Sequence, residues 1–108
     1  MKVAIPLFED RVSPHFLTAA EMLVVMAQGE RVSSTLRFPI RLLSSVEKMR
    51  RLMSLGVDAL ICGGIDRTTR GWLETHGVSV VDNAMGEALA VLERYLKGFT
   101  TVPGDRTS

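Results

Sequence analysis

Cysteine occurs once in the 108 residues, at Cys62. A single thiol excludes an intrachain disulfide, a Cys-rich structural zinc site and a four-cysteine iron–sulfur site within the chain. Excess charge is also absent: the formal net charge is +1. The basic residues Lys2, Arg11, Arg31, Arg37, Arg41, Arg50, Arg51, Arg67, Arg70 and Arg94 are scattered, and only Arg50-Arg51 among these are adjacent. Such a distribution provides no basic stripe for nucleic acid and no patch for an anionic membrane. No apolar run approaches the length of a membrane span. Pro6 and the acidic pair Glu9-Asp10 come too soon after Lys2 for a signal-peptide core. The simplest expectation is a cytoplasmic protein. Repeats and low-complexity segments are missing, and the length fits one domain. The apolar fraction of 46% and charged fraction of 23% are ordinary for a globular chain.

What is present is an alternation of strand and helix signals. Val3-Ala4-Ile5, closed by Pro6, reads as a buried strand, and Leu7 to Pro14 as a loop. Glu21–Ala27 and Arg31–Phe38, separated by Gln28-Gly29, predict an antiparallel hairpin. In its second arm Val32, Ser34, Leu36 and Phe38 are expected on one face. Ser44 or Ser45 then caps a helix whose apolar stripe is Val46, Met49, Leu52 and Met53. These methionines read as core filling. Val57–Cys62 is a strand broken by Gly63-Gly64. Asp66 caps a second helix, with Thr69, Trp72 and Leu73 on one face and Gly77 at its end. Val78–Val81 is another strand. A third helix carries Met85, Ala88, Leu89, Leu92, Tyr95 and Leu96 as its stripe. Residues 99–108 read as a flexible tail following a single domain over 1–98. The order predicts an α/β fold: a mixed sheet of about five strands with flanking helices, in a ribonuclease-H-like layout.

In open α/β sheets, ligands sit beyond the carboxyl ends of the parallel strands. Two loops leave such ends: Val12-Ser13-Pro14-His15-Phe16 and Cys62-Gly63-Gly64-Ile65-Asp66. If their strands are neighbours, both loops face one crevice. Paired glycines let backbone approach a ligand, and the following helix start favours an anion. Each feature has a plain alternative. Gly63-Gly64 alone is more simply a tight turn, His15 a packed loop histidine and Cys62 a core residue. His76 suits a helix C-terminus and needs no further role. A two-metal nuclease needs clustered acids, including one in the first strand, and Val3-Ala4-Ile5 has none. Ser13 and His15 are too close in sequence to imply a productive catalytic pair.

Taken in order, Met1-Lys2-Val3-Ala4-Ile5-Pro6, Val12-Ser13-Pro14-His15-Phe16, Leu55-Gly56-Val57-Asp58-Ala59-Leu60-Ile61-Cys62-Gly63-Gly64-Ile65 and Gly77-Val78-Ser79-Val80-Val81 with Gly86-Glu87-Ala88-Leu89 form a family pattern. It resembles the dinitrogenase iron–molybdenum cofactor biosynthesis family, which includes NifX-like proteins and the C-terminal domain of NifB. The resemblance implies a non-enzymatic accessory protein that binds or carries an iron–sulfur or iron–molybdenum type cluster, or its precursor. It implies cluster donor and acceptor proteins as partners. His15 maps onto the family's best candidate ligand, with Cys62 as a possible second; Ser13, Gly63 and Gly64 complete the matched motifs. A cluster that brings its own sulfides needs only one or two protein ligands, so the single cysteine is no obstacle. Two departures stand out. Leu17-Thr18 occupy positions where the family often has Gly-Arg, and Asp66-Arg67-Thr68-Thr69-Arg70 replace a Gly-rich helix start. The three-cysteine radical-SAM motif of full NifB is missing. The alternative is a metal-free module that binds a small anion or a regulatory partner. A homodimer through an open sheet edge is a further expectation.

Overall fold

The structure, a computed structural model, describes residues 1–100. Lys2–Phe8 forms strand β1, with Val3, Ala4, Ile5 and Leu7 all buried. Val3, Ile5 and Leu7 pack into one core layer and Ala4 into the other, the period-two alternation of a strand covered on both faces. Pro6 does not end β1, contrary to the sequence expectation. Its carbonyl accepts from Ser13 N at 2.8 Å, so its missing N–H lies on the side away from β3. No rung of that ladder is lost.

The chain turns at Glu9, held at φ 58°, into the two-residue strand β2, Arg11–Val12. This short return pairs Leu7 with Val12 and Phe8 with Arg11 inside the segment expected to be a loop. It carries no alternating pattern of its own; Val12 is simply buried beside β1.

Glu21–Gln28 (β3) and Arg31–Pro39 (β4) form the expected hairpin around Gly29, whose φ of 60° suits a residue without Cβ. The ladder shifts between Met26 and Ala27, so that Met26 faces Ser34 while Ala27 faces Val32. Ser33 is therefore the extra residue of a β-bulge. The bulge sets Val32 opposite Ala27 rather than on the face of Ser34 and Leu36, correcting the simple alternation. Every β4 residue but Phe38 is exposed.

Ser45–Ser54 (α1) starts with a reciprocal cap: Ser44 Oγ accepts from Glu47 N, and Glu47 Oε1 accepts from Ser44 N. Its buried face keeps Met49, Leu52 and Met53 of the expected stripe but takes Lys48 in place of Val46. Val46 is 50% exposed, whereas Lys48 and Leu52 are buried, with Met49 and Met53 packed beside them. Positions 48, 49, 52 and 53 share a face about as well as 46, 49, 52 and 53. A lysine enters it because its alkyl stem packs while its ammonium finds a carbonyl.

Ala59–Ile61 (β5) lies parallel to β1 and to Ser79–Val81 (β6). Between them Arg67–Thr75 (α2) is capped by Asp66, whose carboxylate accepts from Thr69 N at 2.9 Å. Trp72 stacks on His76 at 3.9 Å, and a ring nitrogen of His76 lies 2.8 Å from the Trp72 carbonyl. That settles His76 as a helix-end residue. The last helix, α3, spans Ala88–Thr100; residues 101–108 of the expected tail lie outside the described residues. Its buried stripe is Ala88, Val91, Leu92 and Leu96. Met85 precedes the helix and is 81% exposed, and Leu89 is 60% exposed, so neither belongs to the stripe.

The result is a mixed six-stranded sheet of order β4-β3-β1-β5-β6, with β2 on β1, and three helices among the described residues. One core layer lies under α3; the other lies under α1 and α2 and holds Phe16, Leu52, Leu60 and Leu73. No helix among the described residues is long and apolar enough to cross a membrane. Leu60 is wholly enclosed in the second layer, on β5 between β1 and β6. Leu60→Ala is expected to lower unfolding free energy by about 2–5 kcal/mol, the range for a buried leucine that leaves a cavity. A urea midpoint close to that of the parent would contradict this packing.

Candidate functional site

The parallel pairing of β1 with β5, Val3 opposite Ala59 and Ala4 opposite Leu60, brings the two candidate loops together. They are joined through backbone. His15 and Gly64 form an isolated parallel bridge. Gly64 N donates to the Pro14 carbonyl at 2.6 Å, and Phe16 N donates to the Gly64 carbonyl at 2.8 Å. Ser13, itself buried, donates its hydroxyl to the His15 carbonyl at 3.0 Å. On the other side Asn83 N donates to the Gly63 carbonyl and Ala84 N to the Cys62 carbonyl. The Cys62-Gly63-Gly64 segment is thus held from two directions.

Gly63 is what permits the approach. A Cβ there would lie 2.4 Å from the Ser13 carbonyl oxygen and 2.6 Å from that of Pro14, closer than backbone tolerates. A Cβ on Gly64 would meet His15 Nδ1 at 2.9 Å. Glycine is therefore demanded by close packing, not only by turn geometry. Phe16 is fully buried and pins the first loop, while Pro14, His15 and Leu17 are exposed. The imidazole rests on a fixed backbone but remains open to solvent.

His15, Leu17, Gly64, Ile65 and Asp66 line an open depression of about 450 Å³. Asp66 lies at its edge. Hydrogen bonds from the Thr69 hydroxyl and Thr69 N hold its carboxyl below the usual range, so it stays ionised. That carboxylate already occupies the first turn of α2. Arg70, one turn further along α2, is drawn to Asp82 at 2.6 Å and to Glu74 at 3.3 Å.

Cys62 does not open onto the depression. It is fully buried among Leu60, Val80 and neighbouring core residues. Burial pushes its thiol up to about 12, with the Asp82 carboxylate adding to the effect and Arg70 partly offsetting it. A neutral, enclosed thiol is a poor metal ligand, since the thiolate is the coordinating form. Of the sequence candidates, then, Ser13, Gly63 and Gly64 form the frame, His15 stands at the surface and Cys62 lies beneath. Among the described residues, no three His, Cys, Asp or Glu side chains gather as a metal site.

Sequence reasoning missed Lys48. It is 2% exposed, and its ammonium donates to the Leu17 carbonyl at the wall of the depression. Burial lowers its pKa. Its helical spacing to Leu52, four residues on, was the available signal.

A second hollow of about 420 Å³ lies beside the first turn of α3, lined by Leu7, Leu23, Thr35, Arg37 and Leu89 among others. Arg37 is engaged there by Asp10, Glu21 and the Glu9 carbonyl. That network ties the β1–β2 turn to the hairpin.

The family model for dinitrogenase iron-molybdenum cofactor proteins matches residues 1–98. The chain belongs to that family. No curated protein matches it. Among solved structures, PH0822 superposes with a TM-score of 0.83 at 24% identity, over 89% of this chain and 88% of that one. MJ0327 of Methanocaldococcus jannaschii, a candidate dinitrogenase, gives a TM-score of 0.75 at 22% identity, over 91% and 89% of the two chains. Its solution structure gives 0.74 at 21% identity, over 95% of each. At such identities the likeness shows a shared fold. Family membership rests on the match over residues 1–98.

Two outcomes follow for the site. Gly63→Ala is expected to force the loops apart and cost about 2 kcal/mol or more, the scale of overpacking. Gly71→Ala, with nothing within 4 Å of its added Cβ, should be neutral or stabilising. Thermal melts of the two variants compare them directly. The Cys62 thiol, ordinarily near 9.0 and raised to about 12, sets a pH dependence. The neutral thiol's contribution is complete below about pH 9 and is lost as pH climbs toward 12. Urea midpoints of the parent should therefore fall more steeply between about pH 9 and 11 than those of Cys62→Ala. Parallel curves would show that Cys62 ionises as freely folded as unfolded.

Proposed function

We propose that this chain is an accessory protein that takes up an iron–sulfur or iron–molybdenum type cluster, or its precursor, as cargo and passes it on. Its membership of the cofactor family supports this reading. The observation that carries it is the exposed imidazole of His15 on a loop locked by two backbone hydrogen bonds to Gly64. A neutral imidazole nitrogen is a good ligand for iron. An assembled cluster supplies its own bridging sulfides, so one side chain is enough to hold it. One ligand in an open depression also lets it go, which suits transfer better than storage. Cys62 enters as a second ligand only when the core around it opens.

In this reading the chain performs no bond-making chemistry, and its partners are a donor and an acceptor of the cluster. The cytoplasm is its place of work. The metal-free anion module has less support. Gly64 N–H is already given to Pro14, and the Asp66 carboxylate occupies the start of α2.

Anaerobic loading with a preassembled cluster tests the proposal, with bound iron measured in the parent, His15→Ala and Cys62→Ala. Stoichiometric uptake should be lost in His15→Ala and kept in Cys62→Ala. Absence of uptake by the folded parent, or equal uptake by His15→Ala, overturns it.

A further inference from the structure

Lys48 is the one residue on the buried face of α1 that carries a charge, and its position is unusual for a lysine. At 2% exposure it has lost nearly all contact with water. Its ammonium donates to a carbonyl, that of Leu17. None of the ion pairs among the described residues includes it. Glu47, its neighbour in sequence, is exposed and committed to the Ser44 cap. A buried cation without a carboxylate is costly and retains an uncompensated field. That field is screened least where protein, not water, separates the charge from its surroundings.

Leu17 is that separator. Its carbonyl touches the ammonium, and the residue lines the depression beside His15. The carboxylate at the rim, Asp66, stays ionised in its hydrogen bonds with Thr69 and by itself opposes an anion, so the ammonium of Lys48 is the charge set against it. Arg67 is exposed at the start of α2, and Arg70 is paired with Glu74 and Asp82. The site thus has a nitrogen ligand above, a carboxylate at its rim and a positive charge behind Leu17 that offsets the carboxylate.

We propose that Lys48 supplies the positive charge that selects an anionic cargo at the His15 depression, acting through space from behind Leu17. This rests on the cargo-binding reading above and adds a charge rule to it. A cluster with net negative charge gains from the ammonium, whereas a bare metal cation at His15 is opposed by it. Lys48 touches neither cargo nor metal. A role limited to positioning the loop through the Leu17 hydrogen bond predicts the same direction of change for an anionic and a cationic probe.

The variants are Lys48→Arg, which keeps charge and donor; Lys48→Gln, which keeps a donor without charge; and Lys48→Met, which keeps the stem alone. Two probes are titrated anaerobically: a preassembled anionic iron–sulfide cluster capped by small thiolates, and ferrous ion alone. Circular dichroism first confirms that each variant is folded. The expected result is cluster affinity within about two-fold of the parent for Lys48→Arg, and weaker by about ten-fold or more for Lys48→Gln and Lys48→Met. Ferrous ion should move the opposite way, binding Lys48→Gln more tightly than the parent. A purely structural role would not reverse sign between probes. If Lys48→Arg does not fold, the Gln variant with the two probes decides alone. Parental cluster affinity in Lys48→Gln, or weakening of both probes together, overturns the charge rule while cargo binding stands. Failure of the parent to bind the cluster overturns both.

Discussion

The arrangement depends on a close approach of two backbones, with Ser13 and Pro14 packed against Gly63 at distances that leave no room for a side chain. Parallel neighbours in a sheet diverge after their last rung, and their loops usually go separate ways. Here β1 and β5 pair for only two residues, yet the chains meet again at His15 and Gly64. The hydrogen bonds of that second meeting hold the imidazole in place without burying it. Remove the clearance at Gly63 and the two halves of the site become separate surface loops.

Beneath this contact the two core layers are of unequal character. The layer under α3 is built from aliphatic side chains and closes against one helix. The layer under α1 and α2 holds Cys62, lies against Lys48 and carries the pinned Phe16. Groups with chemical potential are therefore concentrated on one side of the sheet. Each is restrained there: the thiol by desolvation, the ammonium by a carbonyl, Arg70 by two carboxylates. His15 alone among the sequence candidates projects a free face outward. Fixed charges in a dry setting act over longer distances than the same charges at a surface, which makes this side of the sheet electrically the more consequential.

Much of this was legible from residues. Periodicity located β3, β4 and all three helices, and the caps at Ser44 and Asp66 fell where side-chain oxygens predicted them. The two site loops were recognisable from their glycine, histidine and serine content, and topology placed them in one crevice. Other features lay outside the reach of one-dimensional patterns. A two-residue strand such as β2 has no period to detect. Pro6 reads as a stop until the side on which its N–H is missing is known. The rotation of α1 that buries Lys48 and exposes Val46 depends on a carbonyl from a loop 31 residues away. Cys62 at the end of β5 could face either way, and only its neighbours decide that it points inward. Local chemistry was readable; the matching of one segment to another was not.

The bulge at Ser33 has a consequence for the rim of the molecule. β4 is the terminal strand of the sheet and is open along its length, the arrangement that invites unwanted strand addition. An incoming strand needs an unbroken row of donors and acceptors at regular spacing. The extra residue breaks that row near its start, beside the hairpin turn, and sharpens the local twist, so no straight strand can follow β4 from Arg31 to Pro39 in one register. The rim is thereby made selective. It resists indiscriminate stacking, and it would admit only a segment whose own irregularity matches the break.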